Sequence, residues 1–148
     1  MLSSEPEIKK EEHMNLITWS DTMSVNIKSI DEEHKKLVNM INELHSAMGS
    51  GKGKDIMGKI LIGLADYTKT HFALEENLMQ KHAYPGYLNH KGQHDALTKQ
   101  VNDLYIKFQE GKAMITIEVM HFLKDWLTNH IQNTDKKYAP FLNNKGVV

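Results

Sequence analysis

The sequence predicts an all-α fold, an up-down-up-down four-helix bundle with an N-terminal extended arm. Apolar residues recur at steps of three and four through four long stretches, the pattern of helices with one buried face. Short connections rich in glycine or broken by proline join these stretches, which favours antiparallel neighbours. No alternation of apolar and polar residues is sustained enough for a sheet, and there is no internal repeat.

Residues 1–15, opening MLSSEPEIKKEEH, are polar and mixed in charge and are expected to form a disordered tail, leaving 16–148 as a single domain. Met14 is a second candidate start, and nothing depends on the residues before it. Leu16 to Ile30 carries Ile17, Trp19, Val25 and Ile27 without helical spacing and reads as an ordered arm across the bundle. Asp31 is expected to cap a helix running to about Met48, with Glu33 in its first turn and His34, Leu37, Val38, Ile41, Leu44 and Met48 inward. The run GSGKGK at 49–54 is a flexible loop. A second helix, about 55–82, turns Ile56, Ile60, Leu64, Tyr67, His71, Glu75 and Leu78 inward. Pro85 and Gly86 break the chain and start a third helix over about 87–110, since proline suits a first helical turn; Gly111 ends it. Its inward stripe is His90, His94, Leu97, Val101, Leu104 and Phe108. The fourth runs from about Met114 to Asn129 with Ile115, Val119, Phe122, Leu123 and Trp126 inward, and continues less regularly to Leu142.

At 148 residues the chain suits one domain with a proper core. A net charge of -1 gives no reason to expect nucleic acid or acidic lipid as a partner. The absence of cysteine excludes disulfides, thiolate ligands and cysteine-bound iron–sulfur clusters. No apolar run approaches the roughly 20 residues needed to span a bilayer, and no secretory signal is evident, so a cytoplasmic location is expected. The charged helix exteriors point to a monomer.

Histidine breaks this ordinariness. There are nine, and five of them, with two carboxylates, occupy positions on apolar stripes or beside them: His34, His71, Glu75, His90, His94, His130 and Asp135. Burying such groups is costly unless they are paired or bound to metal. His90 and His94, like His71 and Glu75, are four apart and sit one above the other on a helix. His130 and Asp135 are five apart. In a regular helix five residues turn through about 500°, leaving the two side chains roughly 140° apart. They can share one site only if the helix is widened into a π-like turn or interrupted there, and Asn133 and Thr134 are modest helix formers that make this cheaper. The seven residues come from all four helices, a count suited to two metal ions. A set rich in nitrogen and free of sulfur suits iron, zinc, copper or nickel rather than magnesium or calcium. His13, His45, His82 and His121 do not continue the pattern and read as solvated or edge positions.

The order of these motifs resembles the hemerythrin family, its bacterial and archaeal branch in particular, from Trp19 to about Leu142. The series is W-S-D, then V-x-I-x-x-I-D-x-x-H ending at His34, H-F-x-x-E-E at 71–76, H-x-x-x-H at 90–94 and H-x-x-x-x-D-x-x-Y at 130–138. The resemblance implies a cofactor of two non-haem iron ions with a bridging oxo or hydroxo group. One iron would take His90, His94 and His130, the other His34 and His71, with Glu75 and Asp135 bridging. The two-histidine iron would keep the open position, where dioxygen binds end-on as hydroperoxide. Two departures are visible: Asn26 stands where many relatives have glycine, and DEEH at 31–34 replaces the commoner DEQH.

The resemblance therefore implies reversible dioxygen binding, for carriage, storage or delivery, by a protein that is not an enzyme. An oxygen-consuming enzyme is one candidate recipient. Leu37, Phe72, Trp126 and Leu127 neighbour the histidines and are expected to wall a dry oxygen pocket. Imidazoles outnumber carboxylates five to two, which suits reversible binding better than oxygen activation. The alternatives are an oxygen, redox or nitric-oxide sensor on the same site, or a di-iron oxidase, peroxidase or nitric-oxide reductase. Against the sensor, no signalling domain is expected after the bundle. Against the enzyme, no catalytic acid, second redox centre or substrate pocket can be read. Iron storage would need a carboxylate-rich channel, and none is apparent.

Overall fold

The computed structural model describes residues 15–148, so the expectation of a disordered tail lies, except for Asn15, outside the described residues. Four long helices follow in order: α1 (Lys28–Gly49), α2 (Lys54–Lys81), α3 (Tyr87–Gln109) and α4 (Ile117–Asn129). A π-helical turn, His130–Asp135, joins α4 to a short α5 (Lys136–Asn144). Helix α2 packs on both α1 and α3, and α4 closes on α1, which gives the up-down-up-down bundle. No strand occurs among the described residues.

Before α1 the chain is extended but for a 3₁₀ turn at Asp21–Met23. The arm is tied down by Asn42 of α1, whose amide accepts from the Ile17 N–H at 2.9 Å and donates to the Ile17 carbonyl at 2.8 Å. Ile17, Met23, Val25 and Ile27 are buried beneath it. The arm ends at Ile27 rather than Ile30, and Asp31 is not the cap. Asp31 sits in the first turn and reaches back, accepting from the Val25 N–H at 2.8 Å and the Ser24 hydroxyl at 2.6 Å. That closes the bend in which Asn26 adopts a φ of 58°, a left-handed conformation that asparagine tolerates better than most side chains.

The inward face of α2 is one residue out of phase with expectation. Met57, Leu61, Leu64, Ala65, Thr68, Phe72 and Met79 are buried with His71 and Glu75, whereas Ile56 is 49 % exposed and Ile60, Tyr67 and Leu78 lie at the edges. Lys36 sits over the Tyr67 ring at 4.5 Å, which places that ring at the α1–α2 seam. Helix α4 begins at Ile117 and is capped by Thr116, whose hydroxyl accepts from the Val119 N–H at 3.3 Å. Ile115 is buried just ahead of it, and Met120, Leu123 and Leu127 form the inner stripe, while Phe122 is 40 % exposed. Helix α3 begins at Tyr87, so Pro85 belongs to the turn rather than the first helical turn; Leu104 is only half-buried on the α3 stripe, as Met48 is on that of α1.

Two apolar clusters result. The larger fills the bundle and includes Leu37, Phe72, Leu97, Leu127 and Ile131; the smaller joins Val25, Ile27 and Ile30 to Met79, Tyr138 and Leu142. The polar side chains on the stripes lie between them, cut off from solvent on both sides.

Candidate metal centre

All seven polar residues singled out from the sequence converge on this layer, none more than 4 % exposed. Helix α1 supplies His34, α2 His71 and Glu75, α3 His90 and His94, and the π turn begins at His130 and ends at Asp135. That turn is where the five-residue spacing required an irregularity, and it brings His130 Nε2 to 3.0 Å from Asp135 Oδ1. His90 Nε2 lies 2.9 Å from the same oxygen. The other oxygen, Oδ2, is 3.0 Å from His34 Nε2. Glu75 Oε1 lies 3.3 Å from both His71 Nε2 and His94 Nε2, and its Oε2 is 3.5 Å from His34 Nε2. The donor atoms thus form two groups, Glu75 with His90, His94, His130 and Asp135, and Glu75 with His34 and His71.

These contacts look like ion pairs, yet His34 Nε2, Glu75 Oε1 and both oxygens of Asp135 make no hydrogen bond of acceptable geometry. The atoms aim at shared points rather than at one another. Buried polar atoms left in that condition demand an explanation, and the nitrogens sharpen it. His94 Nε2 and His90 Nε2 each lie 3.1 Å from His130 Nε2. The outer nitrogens of His94 and His130 face acceptors, Glu76 Oε2 at 2.9 Å and Gln93 Oε1 at 3.0 Å, so each carries its proton on Nδ1. Their unprotonated Nε2 atoms are therefore crowded together at 3.1 Å, an arrangement that a cation turns from repulsion into ligation. Donors about 2.1 Å from one first-row metal and at right angles to each other sit about 3 Å apart, as these do. The residues fit a pair of such ions.

Electrostatics agree. Burial pulls the imidazole of His34 down, but Asp135 and Glu75 outweigh it and raise its pKa to about 9. For His71 burial again opposes, while the charge of Glu75 and the bond to Glu33 lift it to about 10. Burial pushes the Glu75 and Asp135 carboxyls upward, yet the imidazoles around them hold both well below the usual range. In a metal-free protein positive charge must sit here as protons, and a metal ion would take their place.

Aromatic rings brace the imidazoles. Phe72 stacks on His94 with centroids 3.7 Å apart, and Trp126 stacks on His130 at 4.4 Å. Leu37, Phe72, Trp126 and Leu127 line one cavity of about 30 Å³, together with Ile41, Leu64, Leu97, Val101 and Leu123. Its one polar wall residue, Thr68, donates its hydroxyl to the Leu64 carbonyl at 2.7 Å.

Four contacts were not assigned from sequence. Glu33 accepts from His71 Nδ1 at 2.6 Å, Glu76 and Gln93 hold His94 and His130, and the buried Tyr138 hydroxyl donates to Glu75 Oε2. Gln93 is itself fixed by the Thr134 hydroxyl, which donates to its Oε1 at 3.0 Å. Tyr138 stands in the last motif, and Glu76 is the second glutamate of H-F-x-x-E-E, but neither carries a periodicity signal. His45, His82 and His121 lie outside the cluster.

A family model, the hemerythrin HHE cation binding domain, matches residues 25–142. The chain belongs to the hemerythrin family. It is 39% identical over 130 residues to a bacteriohemerythrin of Methylococcus capsulatus, covering 87% of this chain and 98% of that protein. A bacteriohemerythrin of Pseudomonas aeruginosa is 37% identical over 83% of this chain and 79% of its own length. Among solved structures, wild-type hemerythrin superimposes with a TM-score of 0.82 at 38% identity, covering 86% of this chain and 98% of that one. Within the hemerythrin frame the departure at Asn26 is a bend held by hydrogen bonds, and the departure at Glu33 touches the cluster directly. No helix among the described residues is long and apolar enough to cross a membrane.

Proposed function

We propose that this hemerythrin-family chain binds dioxygen reversibly at a di-iron centre held by His34, His71, Glu75, His90, His94, His130 and Asp135. The observation that carries the reading is the unequal division of imidazoles, three in one donor group and two in the other, beside an apolar cavity whose wall residues Phe72 and Trp126 stack on His94 and His130. A ferrous pair held there would supply the two electrons that such binding draws on. His90, His94 and His130 with the two carboxylates would hold one ion, and His34 and His71 would offer the second fewer imidazoles. Asp135 offers one oxygen to each side, and Glu75 belongs to both donor groups, so the two carboxylates tie the halves together. Tyr138 holds Glu75 by one oxygen and leaves the other turned toward His71 and His94.

The surrounding residues favour release over reaction. No free acid lines the cavity, and the hydroxyl of Thr68 is already committed, so nothing there delivers protons to a bound ligand. These features support a carrier or store over an oxidase. The deciding experiment is optical. Iron-loaded protein is reduced without air, exposed to dioxygen, and then deoxygenated, with the visible charge-transfer band followed throughout. Full reversal through repeated cycles is expected. Irreversible conversion to the oxidised resting form in each cycle would replace the carrier reading with a sensor or an enzyme.

A further inference from the structure

Three of the five clustered imidazoles are held from behind, and not by equivalent groups. His94 has the carboxylate of Glu76 and His130 the neutral amide of Gln93, whereas the outer nitrogens of His34 and His90 have no hydrogen-bond partner. In the two-histidine group, all outer support therefore comes from one residue, Glu33 on His71 Nδ1, at the shortest of the three distances, 2.6 Å. Glu33 precedes His34 on α1 and reaches across the seam to α2. One helix thereby supplies the first imidazole of that group and grips the second. The carboxylate is 28 % exposed, at the rim of an otherwise closed layer.

The commoner DEQH has an amide at this position, where this chain has Glu33. An amide oxygen could accept the same hydrogen bond with the same reach. What glutamate adds is negative charge. A carboxylate on the outer N–H of a metal-bound imidazole fixes its tautomer and raises the donor strength of the inner nitrogen. We infer that Glu33 is a positioning residue that strengthens the hold of His71 on the ion with fewer ligands and biases that ion toward its ferric state. The inference rests on the di-iron reading and deepens it, because it concerns the ion that would otherwise be lost first.

The test uses the full chain loaded with iron, as wild type, Glu33→Gln and Glu76→Gln. Iron retention against graded chelator and the reduction midpoint at saturating iron are measured for each. In Glu33→Gln the more labile iron should be released with an affinity about 10–100-fold lower, the usual cost of losing such a partner. The second iron should be retained as in wild type, and the midpoint should move to more positive potential. Glu76→Gln, which takes the carboxylate from His94, should weaken the other iron instead, and loss confined to the labile iron in Glu76→Gln would contradict the assignment. Wild-type retention and potential in Glu33→Gln would overturn the role of Glu33 while leaving the di-iron reading intact. A wild-type protein that binds fewer than two irons would instead overturn that reading, and the inference with it. If Glu33→Gln did not fold, Glu33→Asp would serve: partial loss of the labile iron is expected, and wild-type retention after the carboxylate is drawn back from His71 would refute the proposal.

Discussion

Tyr138 shows how much one side chain can carry in a closed polar layer. Its ring stacks on His90 with centroids 5.4 Å apart, and its hydroxyl supplies a hydrogen bond to Glu75. Burial and then the charges of Glu75 and Asp135 push its pKa well above the ordinary value, so it stays a donor. Replacing Tyr138 by Phe keeps the stack and removes the donor. Denaturant unfolding should show a loss of about 1–3 kcal/mol, the cost of leaving a buried acceptor short of a partner. Leu127 tests the cavity instead. A change to Asn introduces a hydrogen-bonding group beside the apolar wall, and the oxygenated spectrum of the loaded protein should decay several-fold faster; an unchanged lifetime would count against the cavity's role. At this scale the sequence was most informative about the seven converging residues, since a polar group on an apolar stripe stands out. Glu76 and Gln93 escaped notice, and Glu33 stood out only as a first-turn acid and a departure in DEEH, because each sits beside a stripe, as surface residues do. Their role exists only across the gap between two helices.

Helix ends tell a parallel story. At the close of α2 the Ala83 N–H donates to the Gln80 carbonyl at 3.1 Å and the Tyr84 N–H to the Met79 carbonyl at 2.8 Å, a Schellman pattern. The residue at its centre, Ala83, has a φ of 55°, where a methyl side chain is strained. The same pattern after α3 is built on Gly111, with a φ of 75°. Ala83→Gly should therefore stabilise the protein by about 0.5–1 kcal/mol, the relief of strain exceeding the added chain entropy. A melting point raised by roughly 1–4 °C would be the sign. Helix positions and the irregularity before Asp135 could be read from spacing alone. The phase of α2 could not, because apolar residues run along two adjoining tracks, one through Ile56 and Ile60 and the other through Met57 and Leu61. Only the packing of α1 and α3 on either side chooses between them.

For the whole molecule, loading the candidate centre with metal is expected to add to the stability of the fold. Without metal the seven buried polar groups are held by protons, by one another and by Glu33, Glu76, Gln93 and Tyr138. Ligand linkage contributes about 4 kcal/mol when metal is present at a thousand times its dissociation constant, so chelation should lower the melting point by about 10 °C. The pH dependence has a definite sign. In the metal-free form the raised pKa values of His34 and His71, about 9 and about 10, contribute stability that is complete below the unfolded value near 6.5. That contribution disappears as pH rises through 9 to 10. Metal binding needs the same imidazoles deprotonated, so affinity strengthens over the same interval. The gap between loaded and stripped melting points should widen steadily from pH 6.5 to 10, and a gap that narrows would contradict the protonation scheme.

The π turn has its own consequence for what happens when the centre is emptied. Such backbone is rare beside the α-helix on either side, and it lasts only where its surroundings hold it. Here the restraints are His130 and Thr134 on Gln93 and the carboxylate of Asp135 among the imidazoles. Stripping the ions would slacken the last of these, and amide deuterium uptake should quicken first across residues 131–136 while the middle of α2 stays protected. The hinge of the apoprotein would thus be the very segment whose distortion lets His130 and Asp135 meet.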